Sequence, residues 1–196
     1  MLIFLYFFIG HVIGDFLFQT SQIVRWKQAS NWGIALHVAL VFIATAFMLI
    51  PYWESSIIWI AMIANVIIHF FVDKIKIWAE QQKICKSVLK GFWLDQLAHF
   101  LTIVFIVYFI PKNIEPTLLL DSWWFEYYEQ VNLLLYIAGF LFFSYAMDII
   151  YFINRLHKGE FTPYSRSYYS MIVHVFAFAC LFVLLWFFGR FYLGWF

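Results

Sequence analysis

Charge is scarce in this chain. Lysine, arginine, aspartate and glutamate make up 12% of its 196 residues, where soluble domains carry about 25%. That shortage excludes an ordinary water-soluble domain. Cysteine is scarce as well: Cys85 and Cys180 fall in different kinds of segment and neither belongs to a C-x-x-C pair. Neither a disulfide framework nor a zinc ribbon is expected from them. The first residues, MLIFLYFFIGHVIGDF, lack a basic stretch and a small-residue cleavage site, so they read as a first spanning helix and not as a signal peptide. There is no sequence repeat, linker or low-complexity tract. Also missing are the D-G-x-x-A-R run of CDP-alcohol phosphotransferases, the G-x-S-x of rhomboid proteases and the H-E-x-x-H of membrane zinc proteases.

What is abundant is apolar and aromatic: 65% hydrophobic residues, with 26 Phe, 12 Tyr and 10 Trp. A spanning helix needs about 20 apolar residues, and six segments qualify. They cover about Met1–Phe18, Trp32–Ile50 (ended by Pro51), Ser56–Trp78, Phe92–Ile110 (ended by Pro111), Val131–Ile153 and Tyr168–Phe188. The expectation is an all-α integral membrane protein, a bundle of about six transmembrane helices. It reads as one polytopic domain, 1–196, with a four-helix core over 1–110 and two further helices over 111–196. The aromatic and acidic stretch DSWWFEYYEQ, residues 121–130, suits an interfacial turn or short helix.

Basic residues orient the bundle. Arg25 and Lys27 lie in the first loop, Lys74, Lys76, Lys83, Lys86 and Lys90 at and around the third, and Arg155, Lys158 and Arg166 around the fifth. Ten of the 12 basic residues thus fall on alternate loops, leaving Lys112 and Arg190 on the other side. The positive-inside rule makes those loops cytoplasmic, with both termini outside, in a cell inner (plasma) membrane.

The few ionisable residues inside the apolar segments share a depth. His11, Asp15 and Gln19 form an i, i+4, i+8 stripe near the cytoplasmic end of the first helix. His37 lies about one turn into the second. His69-x-x-x-Asp73 closes the third, and Asp95-x-x-x-His99 opens the fourth with the same pair reversed. At the helical rise of about 1.5 Å per residue they fall within roughly 5–15 Å of the inner interface. One polar cavity, open toward the cytoplasm, is expected. Ionisable groups in lipid are costly and must face inward and find partners.

His11, His37, His69 and His99 with Asp15, Asp73 and Asp95 are seven candidate metal ligands. Histidine and aspartate suit Zn²⁺ when thiolates are absent, and Mn²⁺ or Fe²⁺ as well. The three aspartates double as candidate catalytic carboxylates, as ligand, bridge or general base. Gln19, Lys76 and Gln96 are candidates for holding those ligands in place. Seven ligands exceed one catalytic zinc site and suffice for two ions sharing a carboxylate, or for one ion with supporting aspartates. A metal there lowers the pKa of bound water to about 7, which is hydrolase chemistry. Arg25, Lys27, Lys74 and Lys76 would hold an anionic lipid head group or a lipid-like substrate; nucleic acid is not an expected partner. The bland alternatives are neutralised His–Asp pairs gluing the bundle, lysines explained by topology alone, a packing role for His174, an Asp148 paired with Arg155 or a tyrosine, and a solvated loop position for His157.

Four motifs carry a resemblance: His11-x-x-Gly14-Asp15-Phe16-x-x-Gln19, then His37, then His69-x-x-x-Asp73-x-x-Lys76, then Asp95-Gln96-x-x-His99. Over roughly residues 5–110 the chain resembles the bacterial membrane family of domain of unknown function 3307. It is more loosely similar to proteins described as membrane-bound metal-dependent hydrolases, and the hydrolase expectation gains only analogy from that. Two other functions remain open: a proton- or ion-coupled transporter built on the same Asp/His chain, and a non-catalytic membrane partner presenting the lysine-rich loop to a cytoplasmic protein. The aromatic density permits self-association and does not demand it.

Overall fold

The computed structural model describes residues 2–84, 87–122 and 125–157, together with Phe176 and Cys180. It is helical throughout, with no strand among the described residues. The chain divides into two compact units, 1–138 and 139–196.

In the first unit, α1 (Leu2–Val12) continues into a π-helical turn, Ile13–Leu17. The chain then bends by 95° into α2 (Ser21–Ala29). After Ser30 come α3 (Asn31–Met48), a 3-10 turn at Ile50–Tyr52, α4 (Ser56–Gln81), α5 (Val88–Tyr108) and the short α6 (Phe125–Tyr128). The last described helix, α7 (Val131–His157), begins in this unit and runs on into the second. Of the second unit, that continuation and the helical, exposed Phe176 and Cys180 are described.

Local chemistry sets these boundaries. Ser30 caps α3 by accepting from the Gly33 amide at 3.1 Å, and Thr20 caps α2 by accepting from the Ile23 amide at 3.4 Å. Such caps satisfy amides that a helix start otherwise leaves unpaired. Pro51 follows α3 and Pro111 follows α5, where a missing N–H and a fixed φ discourage further helix.

Four helices close a ring: α1 packs on α3, α3 on α4, α4 on α5, and α5 on α1. The approach of the π-helical turn to α3 is close. A Cβ on Gly14 would come within 2.6 Å of Val41 Cα, so only glycine fits there. Inside the ring lie Phe7, Ile9, Val41, Ile58, Met62 and Ile103, all buried. The outward faces carry Ile43, Phe47, Ile60, Phe71, Leu94 and Phe105, all exposed.

Three helices of the ring are long and apolar enough to cross a membrane, as is Val131–Phe152 of α7. A fifth candidate arises if the bent pair through Leu17 and Gln22 counts as one span. Of the expected sixth segment, Tyr168–Phe188, Phe176 and Cys180 alone are described, and His174 lies outside the described residues. Two expectations change. The first loop is largely a helix, α2, folded back at the bend. The first polar stripe also stops at Asp15, because the π-helical turn ends at Leu17 and leaves half-buried Gln19 in the connection. The stretch from Asp121 to Gln130 contains α6, the short helix its composition suggested.

Candidate metal centre

Every helix of the ring delivers a ligand-type side chain to one place. In α4 the buried positions step along one face, Met62, Asn65, His69, Asp73 and Ile77, so i, i+4 spacing brings His69 and Asp73 inward together. In α5 the same face carries Asp95, His99, Ile103 and Ile106. His11 ends α1, Asp15 sits in the π-helical turn, and His37 lies two turns into α3. All seven candidate ligands are buried. The π turn matters here, because its wider ring rotates the residues beyond it about the helix axis, and such turns are frequent at functional sites.

The seven side chains converge. His37 Nε2 lies 3.2 Å from Asp15 Oδ1 and 3.5 Å from Asp73 Oδ2. His69 Nε2 lies 3.5 Å from Asp15 Oδ1, 3.4 Å from Asp73 Oδ2 and 3.3 Å from His37 Nε2. On the other side, His99 Nε2 stands 3.6 Å from Asp73 Oδ1 and 3.4 Å from Asp95 Oδ1. His11 Nδ1 is 3.7 Å from Asp15 Oδ1. The His69 and His99 rings stack with centroids 4.0 Å apart, and the His11 ring lies 4.9 Å from that of His99.

Close as they are, these groups do not satisfy one another. His11 Nε2, Asp15 Oδ1, Asp73 Oδ1, Asp95 Oδ1 and His99 Nε2 are buried without a hydrogen-bond partner. Leaving a buried polar atom unpaired costs about 1–3 kcal/mol, and more for a charged group. Several such atoms aimed at one another are what a cation needs. Three sets have donor atoms within 4.8 Å of one another: His11, His69 and His99; Asp15, His37 and His69; Asp73, Asp95 and His99. The donor set fits a divalent ion. Tetrahedral zinc at about 2.0–2.1 Å from each ligand implies ligand–ligand edges of roughly 3.3–3.4 Å. Five of the six separations among His37 Nε2, His69 Nε2, Asp15 Oδ1 and Asp73 Oδ2 span 3.2–3.5 Å.

Two lysines hold the carboxylates. Lys76 donates to Asp95 Oδ2 at 3.0 Å, and Gln96 donates to the same oxygen at 3.4 Å. Both were expected in that role from the sequence. Lys27 was not: its ammonium reaches Asp73 Oδ2 at 2.7 Å and is buried, so it cannot also serve as a free head-group ligand. The signal was present. Within α2, Ile23 and Val24 are half-buried and Lys27 follows at helical spacing, so the lysine occupies a core-facing position. His37 Nδ1, on the far side of its ring, has no hydrogen-bond partner, leaving that ring held by packing.

The expected open polar cavity is instead a packed cluster, because the seven side chains fill the space themselves. Two surface hollows flank it. One, of about 290 Å³ between α4 and α5, is walled by Ile75, Ala79 and Leu94 with Lys76 and Asp95 on its inner side. The other, of about 340 Å³, lies beside Lys27, Ser30, Asn31, Lys74 and Gln81. The side chains of Asp148 and His157 lie outside the described residues.

Residues 3–125 match the family described as protein of unknown function, DUF3307. That is most of the chain, and the protein belongs to this family. The match covers all seven candidate ligands, Lys27 and the start of α6, and reaches beyond the 5–110 resemblance read from the motifs. None of the curated proteins and none of the solved structures matches the chain.

Proposed function

We propose that this protein is a multi-pass membrane protein whose ring of four helices holds a divalent metal, zinc by preference, and uses it as a hydrolase. The observation that carries this reading is the set of buried, unpaired His and Asp atoms aimed at common points. Membrane embedding is supported by the apolar candidate spans and their exposed apolar faces. The cluster lies at the end of the ring that carries α2 and the turn between α4 and α5, and that is the lysine-rich end. The positive-inside rule assigns that end to the cytoplasm.

In this reading Asp15, Asp73, Asp95 and the four histidines bind the metal. Lys27, Lys76 and Gln96 fix Asp73 and Asp95 so that each offers its lone pairs inward. A divalent ion bound there polarises a substrate carbonyl or phosphoryl oxygen and acidifies water. The surrounding apolar packing keeps bulk water out. A proton-coupled carrier finds less support, since beyond the cluster the buried non-aromatic polar residues described in α1, α3, α4 and α5 are Thr45 and Asn65.

Elemental analysis of the detergent-purified protein beside a His69→Ala/His99→Ala double variant tests the reading. Stoichiometric zinc, manganese or iron in the wild type, lost in the variant, is the expected result. A folded wild type that holds no metal after supplementation would sink it.

A further inference from the structure

The Asp73 carboxylate faces two ways. Its Oδ2 looks at His37 and His69, beside Asp15, while its Oδ1 looks at His99, beside Asp95. Building on the metal-binding reading above, we infer that the cluster is two metal positions bridged by Asp73, one closed and one open to an anionic ligand.

The closed position has four protein donors: Asp15 Oδ1, His37 Nε2, His69 Nε2 and Asp73 Oδ2. Four protein ligands leave no room for a substrate, as in structural zinc sites. The second position has three: Asp73 Oδ1, Asp95 Oδ1 and His99 Nε2. Three protein ligands and one vacant direction are the pattern of catalytic sites. A ring nitrogen of His11 stands within 4.8 Å of the ligand atoms of His69 and His99, and His11 Nε2 is buried without a hydrogen-bond partner.

Location separates the two positions further. Asp95 is shared between the open position and the hollow between α4 and α5. No residue of the closed position lines that hollow. Lys76 stands at the hollow as well, with its ammonium on Asp95.

Charge then selects the ligand. Three buried carboxylates against the two ammonium groups of Lys27 and Lys76 leave one net negative charge with neutral histidines. Two divalent ions add four positive charges and leave a net of three. Buried charge must be balanced, so the open position attracts an anion. The walls of the hollow are apolar apart from Lys76, Glu80 and Asp95, so a phosphate or carboxylate carried on an apolar chain is the fitting class.

Cobalt titration of the intact wild-type protein in detergent tests this without a variant. Two equivalents are expected to bind. One gives the intense visible absorption of tetrahedral Co²⁺, and the other, expanded to five or six ligands by water, a weaker band. Inorganic phosphate should shift the weaker band and leave the intense one in place. Metal analysis of single variants adds an independent reading: His99→Ala should keep one equivalent and the intense band, whereas His37→Ala should lose the intense band. A wild type saturating at one equivalent, or phosphate acting on the tetrahedral band, overturns the two-position inference while leaving metal binding intact. No bound metal at all overturns both.

Discussion

The two ends of α3 both bury polar groups, and they treat them in opposite ways. At the Met48 end, Tyr6 donates to the Tyr128 carbonyl at 2.9 Å and Tyr128 donates to the Met48 carbonyl. The two rings stack with centroids 4.3 Å apart. Burial, and then the neighbouring tyrosine hydroxyls, push the Tyr128 hydroxyl well above its ordinary range, so it remains a donor. At the His37 end, about 16 Å away along the helix axis, seven ionisable side chains crowd together and leave five inward-facing atoms unpaired. At the Met48 end the tyrosines pair their atoms off, and Thr45 Oγ1 is a single buried hydroxyl without a partner. The His/Asp end has polar groups in excess of their partners, and that excess points to a cation.

The comparison breaks most sharply at Asp73. Asp73→Ala should abolish metal binding at both positions, since each draws on one of its oxygens, and elemental analysis of the folded variant reads this. Retention of the full metal content would mean that Asp73 is not shared.

Lys27→Met is the next largest. It strips Asp73 of its ammonium, and breaking a buried pair costs about 3–5 kcal/mol. Thermal unfolding in detergent should show most of that loss in chelator and less of it in zinc, because the metal also neutralises Asp73. Equal losses in both would separate the lysine from the metal centre.

At the other end, Tyr128→Phe removes a donor and leaves the Met48 carbonyl short of a partner, for about 1–3 kcal/mol. Metal content should not change. A loss of metal there would show that the two ends are coupled and that the contrast between them is false.

Much of this arrangement was legible in one dimension. His69/Asp73 and Asp95/His99 announce a shared face through i, i+4 spacing, and the apolar runs around them announce helices that present it. Lys76 and Gln96 sit beside Asp95 as their positions in the chain suggested. The first segment was harder. Nothing in FIGHVIGDFLFQ marks a π-helical turn, which packs against α3 only because Gly14 meets Val41 without a side chain. The stripe read through to Gln19 therefore ran one turn too far. Lys27 looked like a topology signal because loop lysines usually are; the 95° bend folds α2 back on α3 and brings the lysine to Asp73 of α4.

Residue order was enough for the helices of the described residues, the candidate spans among them, the family and the seven ligand-type residues, because helical periodicity and apolar run length are local properties. It was not enough for three other facts: the seven form a packed cluster instead of a cavity, Lys27 joins it, and Asp73 stands at its centre with an oxygen for each side. Those depend on how four helices close into a ring. Ring closure is set by side-chain fit between segments distant in the chain, which no single stretch of sequence records.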